Sequence, residues 1–89
     1  MQKTTRSPDE IDTHIGKNIR KFRQLAELSQ RHLADELNMT YQQVQKYEAG
    51  RSRIAAVNLY KLSRMFGVTM DCFFKGYEEP ESPANSYQK

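Results

Sequence analysis

The feature that most constrains the fold is the regular placement of helix caps and helix breaks in residues 29–50. Ser29 and Thr40 are residue types that cap helix N-termini, because their hydroxyl oxygens accept a hydrogen bond from a free backbone N–H of the first turn. Asn38 and Gly50 tolerate the left-handed backbone that ends many helices. This spacing predicts two short helices joined by a tight turn.

Apolar residues recur at helical spacing in both segments. The positions expected to face inward are Leu33, Ala34, Leu37, Val44 and Tyr47. Ala34 is small, which allows the second helix to cross the first closely. Gln43, three residues after Thr40, completes a capping-box pattern. The pair is therefore predicted to be a helix-turn-helix.

The outward face of the second helix is polar and rich in glutamine. Its residues are Tyr41, Gln42, Gln43, Gln45 and Lys46. The second helix of a helix-turn-helix lies in the major groove of DNA, and a glutamine amide can pair with N6 and N7 of adenine. A single glutamine would more simply be solvated, but three beside a lysine in a capped helix favour base reading. The largest effect is expected from Gln42.

Residues 15–74 resemble the phage-repressor and Cro type of helix-turn-helix domain, the XRE family. The matching residues are Ile15-Gly16-Lys17-Asn18-Ile19-Arg20, Leu28-Ser29-Gln30, Leu33-Ala34, Val44, Tyr47-Glu48-Ala49-Gly50, Leu59, Leu62 and Phe66-Gly67-Val68. The resemblance implies an all-α, lambda-repressor-like bundle of five helices that binds specific double-stranded DNA, usually as a homodimer. Tyr41 and Ala49 depart from the family pattern, which changes the sequence that is read.

Contacts to DNA phosphates are expected around this pair of helices. Gln30 begins the first helix, where backbone N–H groups and the positive helix end can meet a phosphate. Arg51 and Arg53 follow the second helix in a basic loop and are expected to lie along the DNA backbone. Lys17 and Lys61 are further candidates.

The resemblance also implies a structural ion pair. Arg23 on the first helix of the domain and Glu48 at the end of the recognition helix are expected to form a partly buried pair that ties the helices together. The alternative is that both side chains are solvated, which is usual for charged residues.

The last helix is the expected dimer interface. Phe73 and Phe74 are adjacent and diverge by roughly 100° around a helix, so both cannot face one small core. Phe73 is expected to pack inward. Phe74, with Met70, Tyr77 and part of the preceding helix, is expected to face a second copy of the chain.

Composition divides the chain into three parts. Residues 1–10 are expected to be a disordered arm, residues 11–76 the DNA-binding domain, and residues 77–89 a flexible acidic tail. Besides the pair, helices are expected at about residues 12–27 and 55–66 and in a last short segment capped by Thr69. The net charge is only +3, but ten Lys and Arg residues outnumber four Asp and Glu residues between positions 17 and 64. This distribution favours a polyanionic partner.

No pattern indicates an enzyme, a cofactor or a metal site. His14 and His32 have no Cys or carboxylate at metal-ligand spacing, and neither a phosphate-binding glycine loop nor a nucleophile elbow is found in the sequence. No apolar run reaches the length of a membrane span and no signal-peptide core is seen, so a cytoplasmic protein is expected. The lone Cys72 is interpreted as a small core residue.

These observations predict a transcriptional regulator, with repression as the expected outcome, that binds a pseudo-palindromic operator as a homodimer. Two alternatives remain. One is the antitoxin of a toxin–antitoxin pair, which would use the same motif for autoregulation. The other is a protein-interaction adaptor or coactivator whose helix-turn-helix contacts protein.

Overall fold

The computed structural model describes residues 10–77, which form four α-helices and one short 3-10 helix. The elements are α1 (Glu10–Leu25), α2 (Gln30–Leu37), α3 (Tyr41–Glu48), α4 (Ala56–Phe66) and the 3-10 helix Met70–Phe74. The all-helical class agrees with the prediction, although the fifth element is a 3-10 helix. The expected arm and acidic tail lie outside the described residues except for Glu10, which begins α1, and Tyr77. None of the described helices is long and apolar enough to span a membrane.

Each α-helix is followed by a residue in the left-handed backbone conformation, namely Glu27, Asn38, Gly50 and Gly67 in chain order. In every case the next residue donates its backbone N–H to the carbonyl five residues earlier, at 2.9–3.0 Å. This bond satisfies a carbonyl that the helix end leaves open. Glu27 ends α1 in this way at Leu25, two residues before the predicted limit. Ala26 therefore lies outside the helix and is exposed, although its spacing from Ile15, Ile19 and Phe22 had predicted a place on the apolar face of this helix.

The helix N-termini agree with the predicted caps in two of three cases. The hydroxyls of Ser29 and Thr40 accept backbone N–H groups of the first turn at 3.0 and 3.1 Å. Within residues 10–77 the side chain of Gln43 makes no return bond to Thr40, so the capping box is only half formed. Thr69 precedes the 3-10 helix without capping it. Its hydroxyl instead donates to the carboxylate of Asp71, which lowers the pKa of that exposed group.

The hydrophobic core is formed by all five elements. Its buried apolar residues are Ile15, Ile19, Leu33, Ala34, Leu37, Val44, Leu59, Leu62 and Phe73. Phe73 is fully buried, as predicted, and the rings of Phe22 and Phe66 lie 5.8 and 6.3 Å from its ring centroid. The 3-10 helix therefore closes the core through one aromatic side chain.

The backbones of α1 and α3 touch at Gly16. A Cβ atom at this position would overlap the carbonyl oxygen of Tyr47 and lie 2.9 Å from that of Glu48. Near the start of α1, Thr13 lies against Gly50, where a Cβ atom would come within 2.7 Å of the Thr13 Cα. The absence of side chains at both glycines thus lets α3 and the turn after it lie directly on α1.

Two turns beyond Gly16, Arg23 holds the end of α3 through its side chain. The guanidinium donates from Nε to Oε2 of Glu48 at 2.6 Å and from Nη2 to Oε1 at 3.1 Å. Its Nη1 donates to the Leu28 carbonyl at 2.9 Å, and Gln30 Nε2 donates to Glu48 Oε1 at 3.0 Å. The paired side chains are only 12% and 5% exposed. Burial of two charges is costly unless further hydrogen bonds offset the lost hydration, and here Leu28 and Gln30 provide them.

Another face of α1 holds the C-terminal end of the domain. The buried Asn18 amide donates to the Phe73 carbonyl at 2.7 Å and, at the longer distance of 3.4 Å, to that of Lys75. The imidazole of His14 also bonds to the Lys75 carbonyl, and its ring centroid lies 5.6 Å from that of Tyr77. The first helix is therefore the element against which both α3 and the chain after Phe73 are positioned.

We predict that Glu48→Ala lowers the free energy of unfolding by about 3–5 kcal/mol, because Arg23 would remain buried without a counter-charge. For a domain of this size the thermal midpoint, followed by circular dichroism, should fall by more than roughly 10 °C. Glu36→Ala removes an exposed glutamate of α2 and is the matched control, with little change expected. Equal midpoints for Glu48→Ala and the unsubstituted protein would show that the pair contributes nothing to stability.

Candidate nucleic-acid interface

The outer edge of α3 is polar and accessible to solvent, whereas its inner side packs against the rest of the domain. Val44 is 1% exposed within the core, and Glu48 is held by Arg23. The predicted base contacts lie on the other side of the helix. Those with exposed side chains are Gln42, Gln45 and Lys46, and those half-buried are Tyr41 and Gln43.

A shallow depression runs along this edge. It is lined by Gln42, Gln45, Lys46, Ala49 and Arg51. Ala49 is exposed and is the small residue of the set, so it leaves room between the longer side chains around it. The arrangement combines amide donors and acceptors with two cations and one methyl group, which are the chemical features that read base edges and thymine methyl groups in the major groove.

The first turns of α2 and α3 are joined by side chains. The guanidinium carbon of Arg31 lies 4.7 Å from the centroid of the Tyr41 ring. The hydroxyl of Tyr41 accepts a hydrogen bond from Gln45 Nε2 at 3.2 Å. No sequence pattern marked Arg31 as a candidate DNA contact. Its position next to Gln30 at the start of α2 was the available signal.

Two of the residues predicted to contact phosphate have partners within the domain. Gln30 donates its side-chain amide to Glu48, as described above. Arg53 donates to the carboxylate of Asp12, with Nη2 2.9 Å from Oδ2. The Asp12 side chain is 4% exposed and that of Arg53 is 53% exposed. Arg53 therefore connects the loop after α3 to the first turn of α1. No sequence pattern indicates this structural role, because Arg53 and Asp12 are 41 positions apart.

The other predicted phosphate contacts are exposed lysine and arginine side chains. Arg51 follows Gly50 immediately after α3 and borders the depression. Lys17 follows Gly16, the residue at the crossing of α1 and α3, and Lys61 lies on α4. Of these three, Arg51 is the one that the structure places beside the outer edge of α3.

The residues predicted to form the dimer interface differ in exposure. Phe74 is 38% exposed. Met70 packs against the core and is half-buried, and Tyr77 lies beside His14. Among these three, Phe74 presents the most accessible apolar side chain.

Within residues 10–77 no three His, Cys, Asp or Glu side chains lie close enough together to hold a metal ion. Cys72 is a free, half-buried thiol near the hydroxyl of Thr69, at 3.5 Å.

Comparison with known proteins places this arrangement in a family. Residues 19–71 match the family described as Helix-turn-helix. An uncharacterized transcriptional regulator in the ATPase CF(0) region of Rhodospirillum rubrum is 39% identical over 74 residues, which are 83% of this chain and 68% of that protein. An uncharacterized HTH-type transcriptional regulator of Sinorhizobium medicae is 37% identical over 75 residues, 84% of this chain and 54% of that protein. The chain thus spans about half of the length of the latter relative.

Solved structures share the fold. The restriction-modification controller protein C.AhdI from Aeromonas hydrophila is 25% identical, with a TM-score of 0.65 over 71% of this chain and 96% of that one. The P22 c2 repressor, solved in complex with a synthetic operator, is 22% identical, with a TM-score of 0.63 over the same shares of 71% and 96%. The chain belongs to the XRE-type helix-turn-helix family of transcriptional regulators, and its fold is that of the lambda-repressor-like DNA-binding domains.

Proposed function

We propose that the protein is a repressor that binds a pseudo-palindromic operator as a homodimer and reads its bases with the outer edge of α3. The observation that carries the proposal is the contrast between the two sides of this helix. The inner side is fastened by Gly16 and Arg23, while the outer edge presents amides and cations to solvent. A rigidly held helix with a free polar edge is suited to the major groove.

The charge around α3 supports this proposal. Lys46 and Arg51 are exposed beside the glutamines, whereas Glu48, the acid of α3, is buried and neutralised by Arg23. The helix therefore offers positive charge to its surroundings, as contact with a polyanion requires. Lys17, Lys61 and the exposed part of Arg53 would extend this field, and backbone N–H groups at the start of α2 near Gln30 would donate hydrogen bonds to a phosphate.

We predict that Gln42→Ala weakens binding to the preferred sequence by roughly 1–3 kcal/mol and relaxes the preference at one base pair. The measurement is selection of bound sequences from a random DNA pool by the full chain, followed by titration of the selected site. Gln24→Ala removes an exposed glutamine of α1 and is the control. An unchanged set of selected sequences for Gln42→Ala would contradict the proposed docking. Weak, salt-sensitive binding without any preference in the unsubstituted protein would favour the adaptor alternative.

We predict that Arg51→Ala weakens binding to all sequences alike and reduces the dependence of log K on log salt by about one unit, because one phosphate contact is lost. Lys75→Ala is the matched control, since Lys75 is exposed and follows the 3-10 helix, outside the residues proposed to contact DNA. Arg53→Ala is unsuited to this test because it also removes the ion pair with the buried Asp12. A salt dependence unaffected by Arg51→Ala would remove Arg51 from the interface.

The homodimer is proposed because one recognition helix covers few base pairs. Two domains related by a two-fold axis place their reading helices about 34 Å apart, one turn of DNA. Phe74 is the most exposed of the three side chains proposed to meet the second copy, and the half-buried Met70 and Tyr77 would complete the interface beside it.

We predict that Phe74→Glu produces monomers in sedimentation velocity and weakens operator binding while helical content is retained, because Phe73 alone closes the core. Leu25→Glu is the control, since Leu25 is 71% exposed at the far end of α1 and is not proposed to meet a partner. A dimeric Phe74→Glu protein would place the interface elsewhere, and monomers caused by Leu25→Glu would locate it near the end of α1.

A further inference from the structure

We propose that Arg31, which lies on α2 and not on the recognition helix, is a base-reading residue for guanine, and that Tyr41 positions it. This inference rests on the proposed DNA-binding function and adds to it a specificity contact from a second helix. The juxtaposition that carries it is the stack of the Arg31 guanidinium on the Tyr41 ring, at 4.7 Å, together with the hydrogen bond of the Tyr41 hydroxyl to Gln45.

The first step is electrostatic. Arg31 is the second residue of α2, and Tyr41 is the first residue of α3. Both helix starts carry positive partial charge from their unpaired N–H groups. No carboxylate within residues 10–77 forms an ion pair with Arg31, which is exposed. The Tyr41 ring attracts the Arg31 cation, whereas the positive ends of the two helices disfavour it. A hydrogen-bond acceptor outside the domain would therefore stabilise the guanidinium.

The contact with Tyr41 limits which hydrogen-bond acceptors the Arg31 guanidinium can reach. The cation–π contact with Tyr41 uses no N–H group in a conventional hydrogen bond, so the guanidinium N–H groups remain able to donate. The same ring is bonded to Gln45, whose position on the outer edge of α3 faces the bases in the proposed docking. The Arg31 guanidinium, in contact with Tyr41, therefore lies next to a side chain that is bonded to the outer edge of α3. The planar fork of arginine matches O6 and N7 of guanine, and this is the commonest specific arginine contact in the major groove.

The third step concerns Gln45. One of its two amide hydrogens is donated to Tyr41, so one N–H and the carbonyl oxygen remain for DNA. These are the groups that pair with N7 and N6 of adenine. The Tyr41 hydroxyl thus orients the glutamine, while its ring orients the arginine. Loss of the hydroxyl and loss of the ring should consequently affect different base pairs.

The test is selection from a random DNA pool by the full chain and by Arg31→Ala, Tyr41→Phe and Tyr41→Leu, with affinities measured on the site that the unsubstituted protein prefers. Arg31→Ala should abolish a guanine preference at one position in each half-site and lower affinity roughly 5- to 150-fold. Tyr41→Leu should weaken the same preference and, because leucine also lacks the hydroxyl, should relax the preference at the base pair read by Gln45. Tyr41→Phe should keep it, because the ring remains, and should relax the preference at the base pair read by Gln45.

The control is Lys75→Ala, which removes a positive charge after the 3-10 helix, outside the residues proposed to contact DNA, and should leave the selected sequences unchanged. Thermal melts check that every variant is folded. Equal weakening on all sequences by Arg31→Ala, with a salt dependence reduced by about one unit, would overturn the inference and make Arg31 a phosphate contact. Unchanged binding by Arg31→Ala would also overturn it. If the unsubstituted protein selected no sequence, the proposed function itself would fail.

Discussion

The structure depends on the buried pair of Arg23 and Glu48. The carboxylate accepts three hydrogen bonds, two from Arg23 and one from Gln30, and the guanidinium also donates to the carbonyl of Leu28. One charge pair therefore connects α1, the loop after it, α2 and α3. Because α2 and α3 are only eight residues each, neither would be stable as an isolated helix. Their geometry relative to each other is maintained by contacts of this kind and by the core.

The first helix organises the rest of the domain because different faces of it meet different partners. Gly16 and Arg23, seven positions apart, lie within roughly 20° of each other around the helix and both meet α3. His14 and Asn18 meet the chain after Phe73. Helix α1 thus contacts both the surface proposed to bind DNA and the surface proposed to bind a second copy. A rigid connection between these two surfaces is required to place two reading helices at a defined distance.

The same contacts decide which charges are available to a partner. Glu48 and Asp12 are buried and neutralised by arginines, so these two acids contribute little negative field near α3. Lys46, Arg51 and Arg31 remain exposed and have no carboxylate partner among the described residues. The net charge of the chain is only +3, yet the outer edge of α3 is more basic than this value suggests, because pairing within the fold removes acids from it.

Local sequence patterns were sufficient to predict the helix-turn-helix of this protein. The hydroxyl caps at Ser29 and Thr40, the left-handed residues Asn38 and Gly50, and the apolar spacing between them act over a few residues, so they can be recognised without coordinates. The family resemblance added Arg23 with Glu48, a pair 25 positions apart that no local pattern reveals.

Contacts between segments that are distant along the chain are seen only in the folded structure. It showed that Glu27, a residue type that rarely adopts the left-handed region, ends α1, and that the next residue, Leu28, is bonded to both the backbone carbonyl and the side chain of Arg23. It paired Arg53 with Asp12, and it stacked Arg31 on Tyr41. These contacts depend on how the helices cross, which is set by the overlap-free fit of Gly16 against α3 and by the burial of Phe73. Such fits are properties of three-dimensional packing, and sequence spacing alone does not contain them.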